Sequence, residues 1–163
     1  MTDELSDSER ERYARQIEGE LGVEGQLRLK ASRAMVIGAG AVGSAAATEL
    51  VSRGVGYVAI VDGAPIRLDD LVGQSIYYTP DVDHSKADVL VAKLGLLNPE
   101  VQAECYPVAL DSQNASAVVA GHDVVLDCTH DPDVAGALAA AGVTLVPGPE
   151  AALHRLTHVE VPA

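Results

Sequence analysis

Arg33-Ala-Met-Val-Ile-Gly-Ala-Gly-Ala-Val-Gly43 reads as a buried strand that runs into a glycine-rich turn and opens a helix. Val36 and Ile37 are β-formers, Gly38, Gly40 and Gly43 have the G-x-G-x-x-G spacing, and 41–53 carries a helical pattern. Such a turn lets bare backbone approach a phosphate, because no Cβ intervenes and the helix dipole favours negative charge. Working outward, the strand 57–61 ends in Asp62. That is close to the ~20-residue offset of an acidic side chain that holds a ribose hydroxyl. A bound nucleotide is the expectation.

Further out, strands alternate with helices. Ser6-Asp-Ser-Glu9 has the form of a capping box, so a helix is expected over 7–20, with Tyr13, Ile17 and Leu21 as its apolar stripe. A short second helix follows at 23–30, then the strand 33–37. Residues 63–83 are irregular and rich in Asp, Gly and Pro; a loop that long in a small domain is more often functional than idle. Helices at 84–97, 111–120 and 132–141 and strands at 101–108, 123–127 and 143–146 complete the pattern. The tail, 149–163, is expected to end in an edge strand over 156–161. The resulting expectation is a single domain over 1–163 in three parts: N-terminal helices at 1–32, a core at 33–148 and a tail strand. The class is α/β, a Rossmann-like three-layer sandwich with a mostly parallel sheet and helices on both faces.

Composition bounds the rest. The 163 residues suffice for one domain with a sizeable core, built mainly from Val, Leu, Ile and Ala because Phe and Trp are absent. No apolar run reaches the roughly 18–20 residues of a membrane span, and the acidic N-terminus is unlike a signal peptide, so a cytoplasmic protein that does not engage membrane is expected. The net charge of −13 argues against nucleic-acid binding, which needs Lys and Arg to replace counterions, and the acidic, lysine-poor chain has the look of adaptation to high salt. Cys105 and Cys128 form no C-x-x-C, so no zinc site is expected and each reads as a small buried residue. His154 and His158, taken as lying on a strand, would sit about 13 Å apart and could not share a metal.

The order of the parts is more specific than any one of them. Arg12-Tyr-Ala-Arg-Gln-Ile17 and Gly22-Val-Glu-Gly-Gln-Leu27 precede the first strand; Gly38–Gly43, Val61-Asp62, Leu68-Asp-Asp-Leu-Val-Gly-Gln74, Asp81-Val-Asp-His-Ser-Lys86, Leu97-Asn-Pro99 and Leu126-Asp-Cys-Thr129 follow. The series resembles the ThiF/MoeB family, relatives of ubiquitin-activating enzymes. The resemblance implies a protein that binds ATP and Mg²⁺ and adenylates a carboxylate, by attack on the α-phosphorus with loss of pyrophosphate. The implied substrate is the C-terminus of a ubiquitin-like or sulfur-carrier protein, a peptide or a small carboxylic acid. Gly38, Gly40 and Gly43 match the ATP-phosphate loop, Asp62 the ribose-binding acid and Lys86 the phosphate-contacting lysine. Arg15 matches the arginine that, in family dimers, reaches into the neighbouring subunit's site; on its own helix it is also within reach of Glu11 and Glu18. A homodimer, or a heterodimer with a full-length homologue, is implied.

Three departures qualify that expectation. The family loop commonly reads Ser-Asn-Leu-x-Arg-Gln, where the Asn and Arg contact the triphosphate; this chain has Asp70 and Gly73 there. A lost cation and a gained anion at about 1.5–3 kcal/mol per charge-assisted contact would cost orders of magnitude in ATP affinity or rate. The family's magnesium stretch commonly reads Asp-Cys-Thr-Asp-Asn, and here His130 holds the ligand position, leaving Asp131 or Asp133 as substitutes. Longer members continue past the fifth strand into a substrate-docking region, which this sequence does not include. A degenerate or partner-dependent adenylating protein is therefore expected, alongside an NAD-type dinucleotide-binding module and a ligand-free interaction domain on the same fold.

Overall fold

The computed structural model describes residues 4–158. Its N-terminal helices are α1 (Asp7–Arg12), α2 (Ala14–Gln16) and α3 (Gly22–Ala31). Ser6 caps α1 through the expected box: its hydroxyl accepts the Glu9 N–H at 3.1 Å while Glu9 Oε2 accepts the Ser6 N–H at 2.7 Å. The helix predicted over 7–20 is broken. A wide turn, Ile17–Leu21, replaces its second half, with Gly19 in a non-helical conformation at φ −83°, ψ −140°. Glycine is the costliest ordinary residue in a helix interior, and the tertiary anchor of this segment outweighs local periodicity. That anchor is Tyr13. Its ring is buried, and its hydroxyl accepts an N–H from the fully buried Asn98, whose amide also donates to the Val51 carbonyl. Gln16 and the fully buried Gln26 both donate to the carbonyl of Arg53.

Four parallel strands follow: β1 (Arg33–Ile37), β2 (Tyr57–Val61), β3 (Gln102–Tyr106) and β4 (Val124–Asp127), in the order β3-β2-β1-β4. The register runs from Arg33 opposite Tyr57 to Ile37 opposite Val61, and from Ala34 opposite Val124 to Ile37 opposite Asp127. Ala34–Ile37 and Val58–Val61 are buried without interruption, which is why they read as continuous apolar runs: both faces are covered. On one face Val36, Val58, Ile60 and Leu126 pack with α3, α4 (Ala41–Ser52), α5 (Lys86–Leu97) and a C-terminal helix. On the other Met35, Ile37, Ala59 and Val125 pack with α6 (Ala115–Val119) and α7 (Pro132–Ala140). The three-layer α/β expectation is met.

Two expectations fail at the end of the chain. The strand predicted over 143–146 is reduced to one bridge, Leu145 to Val125, with the Val146 N–H donating to the Val125 carbonyl at 3.1 Å. Pro147 ends it, having no N–H to offer the ladder. The predicted tail strand is instead a helix, α8 (Pro149–Thr157), over the described part of the tail; residues 159–163 lie outside the described residues. Pro149 takes the first helical turn and Glu150 complements the dipole. Ala152 and Leu156, four apart, are the buried pair. Over the described part of the tail the period is that of a helix.

Candidate functional site

The three glycines of the loop are there for different reasons. Gly38 has φ +90°, and an added Cβ would lie 3.1 Å from the Thr129 methyl. At Gly43 a Cβ would lie 1.7 Å from the Gly38 carbonyl oxygen, so the close packing of α4 on the turn demands glycine. Gly40 has an extended conformation open to any residue, and a Cβ there would meet nothing within 4 Å. No contact among the described residues explains why Gly40 lacks a side chain. No side chain caps α4, so the amides that follow Gly40 are left for an anion. The loop therefore fits a phosphate group.

Beside the loop, at the carboxyl ends of the strands, is a cleft of about 430 Å³ lined by Ile37, Gly38, Asp62, Ala64, Leu110 and Thr129. Open α/β sheets bind ligands at this edge. Asp62 lines it with both carboxylate oxygens engaged. Oδ2 accepts the Ala39 N–H and Oδ1 the Ala64 N–H, both at 2.8 Å. Each oxygen keeps a second lone pair, so the carboxylate is oriented and still able to accept a ribose hydroxyl. A larger groove of about 770 Å³ runs along the outer face of α4 past Ser44, Thr48 and Gln74. It begins at Ala41, the residue after Gly40, and reaches Gly73, whereas Asp62 and Gly38 line the smaller cleft.

Lys86 is the first residue of α5. Its ammonium donates to Asp70 Oδ1 at 2.8 Å, with the two side chains only 12% and 24% exposed. Asp70 Oδ2 accepts the Arg67 N–H at 2.8 Å. Burial acts to raise the Asp70 carboxyl pKa, but the Lys86 hydrogen bond, the Arg67 N–H and both positive charges outweigh it and hold it below the ordinary carboxylate range. The predicted phosphate-contacting lysine and the predicted intruding anion are thus partners. Sequence reasoning missed Tyr77. This buried side chain ties the long loop to the glycine turn, its hydroxyl donating to the Ala39 carbonyl at 2.7 Å and lying 3.3 Å from the Lys86 carbonyl. Two neighbouring tyrosines in a polar loop gave no signal as to which was buried.

The segment after β4 is closed on itself. Asp127 Oδ1 accepts the Thr129 N–H and hydroxyl at 3.0 and 2.7 Å, and Asp131 caps α7 by accepting the Asp133 N–H at 2.9 Å. His130 is exposed in the left-handed region at φ +57°. Among the described residues no three His, Cys, Asp or Glu side chains converge as a metal site. The residues around Asp131 do not present a magnesium-binding set by themselves. The cysteines are only half-buried, less than expected. Burial, with the Asp127 charge, pushes the Cys128 thiol up to about 11, and the Cys105 thiol, which donates to Asp88 at 2.8 Å, is also raised, so both are protonated near neutrality.

Arg15 is not brought to this site. It is exposed, forms no ion pair with Glu11 or Glu18 among the described residues, and lines a separate cleft with Arg53, at the far end of α4 from the glycine loop. At 1.5 Å per residue the helix alone puts them roughly 18 Å apart. His154 and His158 line the same cleft, and the strand spacing expected for them is wrong: on α8 they are one turn apart, with rings stacked at 4.1 Å between centroids.

Fold and site define a Rossmann-like α/β domain with a glycine-rich strand-to-helix turn and an oriented acidic residue at its strand ends. Within that class the chain belongs to the ThiF family, which matches residues 13–145. It is 42% identical over 132 residues to the adenylyltransferase and sulfurtransferase UBA4 of Candida glabrata, covering 80% of this chain and 30% of that protein. It is 41% identical over 122 residues to the sulfur carrier protein adenylyltransferase of Thermus thermophilus, covering 74% of this chain and 45% of that one. The chain thus spans less than half the length of these curated relatives. In fold it is similar to E. coli tRNA N6-threonylcarbamoyladenosine dehydratase, TcdA, with a TM-score of 0.81 at 23% identity over 87% of this chain and 61% of that one. It is similar also to the same enzyme solved in complex with ATP, with a TM-score of 0.80 at 21% identity over 86% and 60%.

Proposed function

We propose that this chain is an ATP-binding, adenylate-forming domain that depends on a second subunit for catalysis. Adenosine occupies the cleft over Asp62, and the phosphates face the amides that follow Gly40. The substrate is a carboxylate, presented by a ubiquitin-like or sulfur-carrier protein or by a small acid. The single observation that carries the nucleotide reading is Gly40, whose missing side chain no contact among the described residues requires. Support for adenylation comes from the curated relatives, which are named as adenylyltransferases, one of them acting on a sulfur carrier protein.

Dependence on a partner rests on charge. Transition-state charge on the α-phosphate must be met by cations placed in advance. Gly73 supplies none, Lys86 is already paired with Asp70, and Arg15 stands at the far end of α4. A homodimer would import Arg15 from its neighbour; a heterodimer with a full-length homologue would supply a complete site. Calorimetry with ATP–Mg²⁺ and with NAD in high-salt buffer is expected to show binding of ATP and not of NAD, and the reverse preference would favour a dinucleotide module. ATP–pyrophosphate exchange is expected to be negligible for the isolated monomer and restored in a dimer or by a full-length homologue. Efficient exchange by a monomer would overturn the dependence, and a chain that binds no adenine nucleotide would overturn the whole reading.

A further inference from the structure

The Lys86–Asp70 pair invites a more specific conclusion, one that rests on the nucleotide-binding reading above. Both side chains are largely withdrawn from solvent, and Asp70 is held from both sides, by Lys86 at Oδ1 and by the Arg67 N–H at Oδ2. The pair is tied to the glycine turn through Tyr77, whose hydroxyl contacts the backbone carbonyls of both Ala39 and Lys86 and which feels the charges of Asp62 and Asp70 together. The surrounding field is negative. Burial, and after it the charges of Asp62, Asp70 and Asp81, drive the Tyr77 hydroxyl well above its ordinary range. The two lysines here are both committed, Lys86 to Asp70 and Lys93 to Asp81. Arg67, whose charge also reaches Asp70, is exposed and paired with Asp69, so all three cations of this region already have a carboxylate partner and a polyphosphate would arrive where positive charge is engaged.

We propose that Asp70 is an internal stand-in for phosphate: its carboxylate occupies Lys86 where a terminal phosphate would otherwise bind, so that the isolated site selects nucleosides and monophosphates, including an adenylate ester, over triphosphates. To bind ATP through Lys86, the site must first break a 2.8 Å ion pair shielded from water. Adenosine, seated over Asp62, makes no such demand. Asp70 is a specificity-determining residue that acts through Lys86.

Calorimetry on the full chain tests this, with adenosine, AMP and ATP, each with and without Mg²⁺, for wild type, D70N and the double variant D70N/K86Q. An asparagine oxygen still accepts the Arg67 N–H but the ion pair is lost, so D70N is expected to fold and to melt below wild type. Wild type is expected to bind AMP at least as tightly as ATP. D70N is expected to bind ATP about tenfold more tightly or better, the worth of one charge-assisted contact, with adenosine unchanged within twofold. The double variant is expected to lose that gain. An unchanged ATP affinity in D70N, with adenosine still bound, would overturn the proposal alone. Weaker ATP binding in D70N only when Mg²⁺ is present would overturn it too, by making Asp70 a ligand of the nucleotide's metal. Should D70N not fold, the wild-type ranking decides, and ATP bound more tightly than AMP would overturn the proposal. Absence of adenosine binding in every variant would overturn the nucleotide reading itself.

Discussion

Gly40 and Gly43 sit three residues apart in one motif and answer to different constraints. A side chain at Gly43 collides with the Gly38 carbonyl oxygen at 1.7 Å, whereas one at Gly40 meets only open space. Gly43→Ala is therefore expected to destabilise the fold severely, as overpacking against backbone does, and to leave little folded protein in a thermal melt. Gly40→Val is expected to change stability by less than about 1 kcal/mol, because its backbone conformation is open to any residue. It is also expected to weaken ATP binding tenfold or more in calorimetry, because the side chain stands where the phosphate approaches. A Gly40→Val protein that binds ATP normally would remove the reason for placing phosphates there.

The helices are held by a few buried contacts more than by propensity. α8 is a short helix whose attachment rests on Ala152 and Leu156 in the larger core cluster and on the Arg28 side chain, which donates to the Thr157 carbonyl at 2.8 Å. Leu156→Ala is expected to cost about 2–4 kcal/mol in denaturant unfolding. It should also raise amide exchange in α8 before it does so in β1 or β2, because the core strands open only in global unfolding. Equal protection loss in α8 and in the central strands would mean that α8 is part of the cooperative core. At the other end, Tyr13 and Asn98 show how an apparently polar motif becomes structural. The Leu97-Asn-Pro99 turn places a fully buried amide between the Tyr13 hydroxyl and the Val51 carbonyl, which fastens the N-terminal segment to α4.

Charge acts on the protein as one body, and its effects oppose one another. A net charge of −13 on 163 residues repels itself, while the buried pairs Lys30–Glu9 and Lys86–Asp70 attract. Raising salt from 0.1 to 1 M shortens the screening length from about 10 to 3 Å, which weakens long-range repulsion more than shielded contacts. Added KCl is therefore expected to raise Tm, and a Tm that falls with salt would show that the internal pairs dominate. Glu9, Asp70 and Asp81 all have folded pKa values below their ordinary ones. Each contributes stability that is fully present above about pH 5 and is lost as pH falls through the folded value. Their protonation should therefore unfold the protein steeply below about pH 4 in a series of melts, and the Glu9→Gln variant should show a shallower acid limb.

The strand–glycine turn–helix unit, the apolar runs of β1 and β2 and the ordered motifs were legible in the chain because each is written locally: backbone chemistry at Gly38 and Gly43, and burial on both faces as uninterrupted Val, Ile and Ala. Those features sufficed for the fold class, for the family and for the three glycines and Asp62 at one edge of the sheet. The sequence alone left open everything that depends on distant segments meeting. A period shared by Ala152 and Leu156 became helical because the open face of the sheet beside α4 needed covering, and His154 came to stack on His158 as a result. Tyr77, and not Tyr78, reached the Ala39 carbonyl. Asp70 and Lys86, sixteen residues apart, became partners only when the loop folded back over the start of α5. Pairing of that kind depends on the path of the loop through space, which local propensities do not encode, and it alone decided whether Lys86 stands free or engaged.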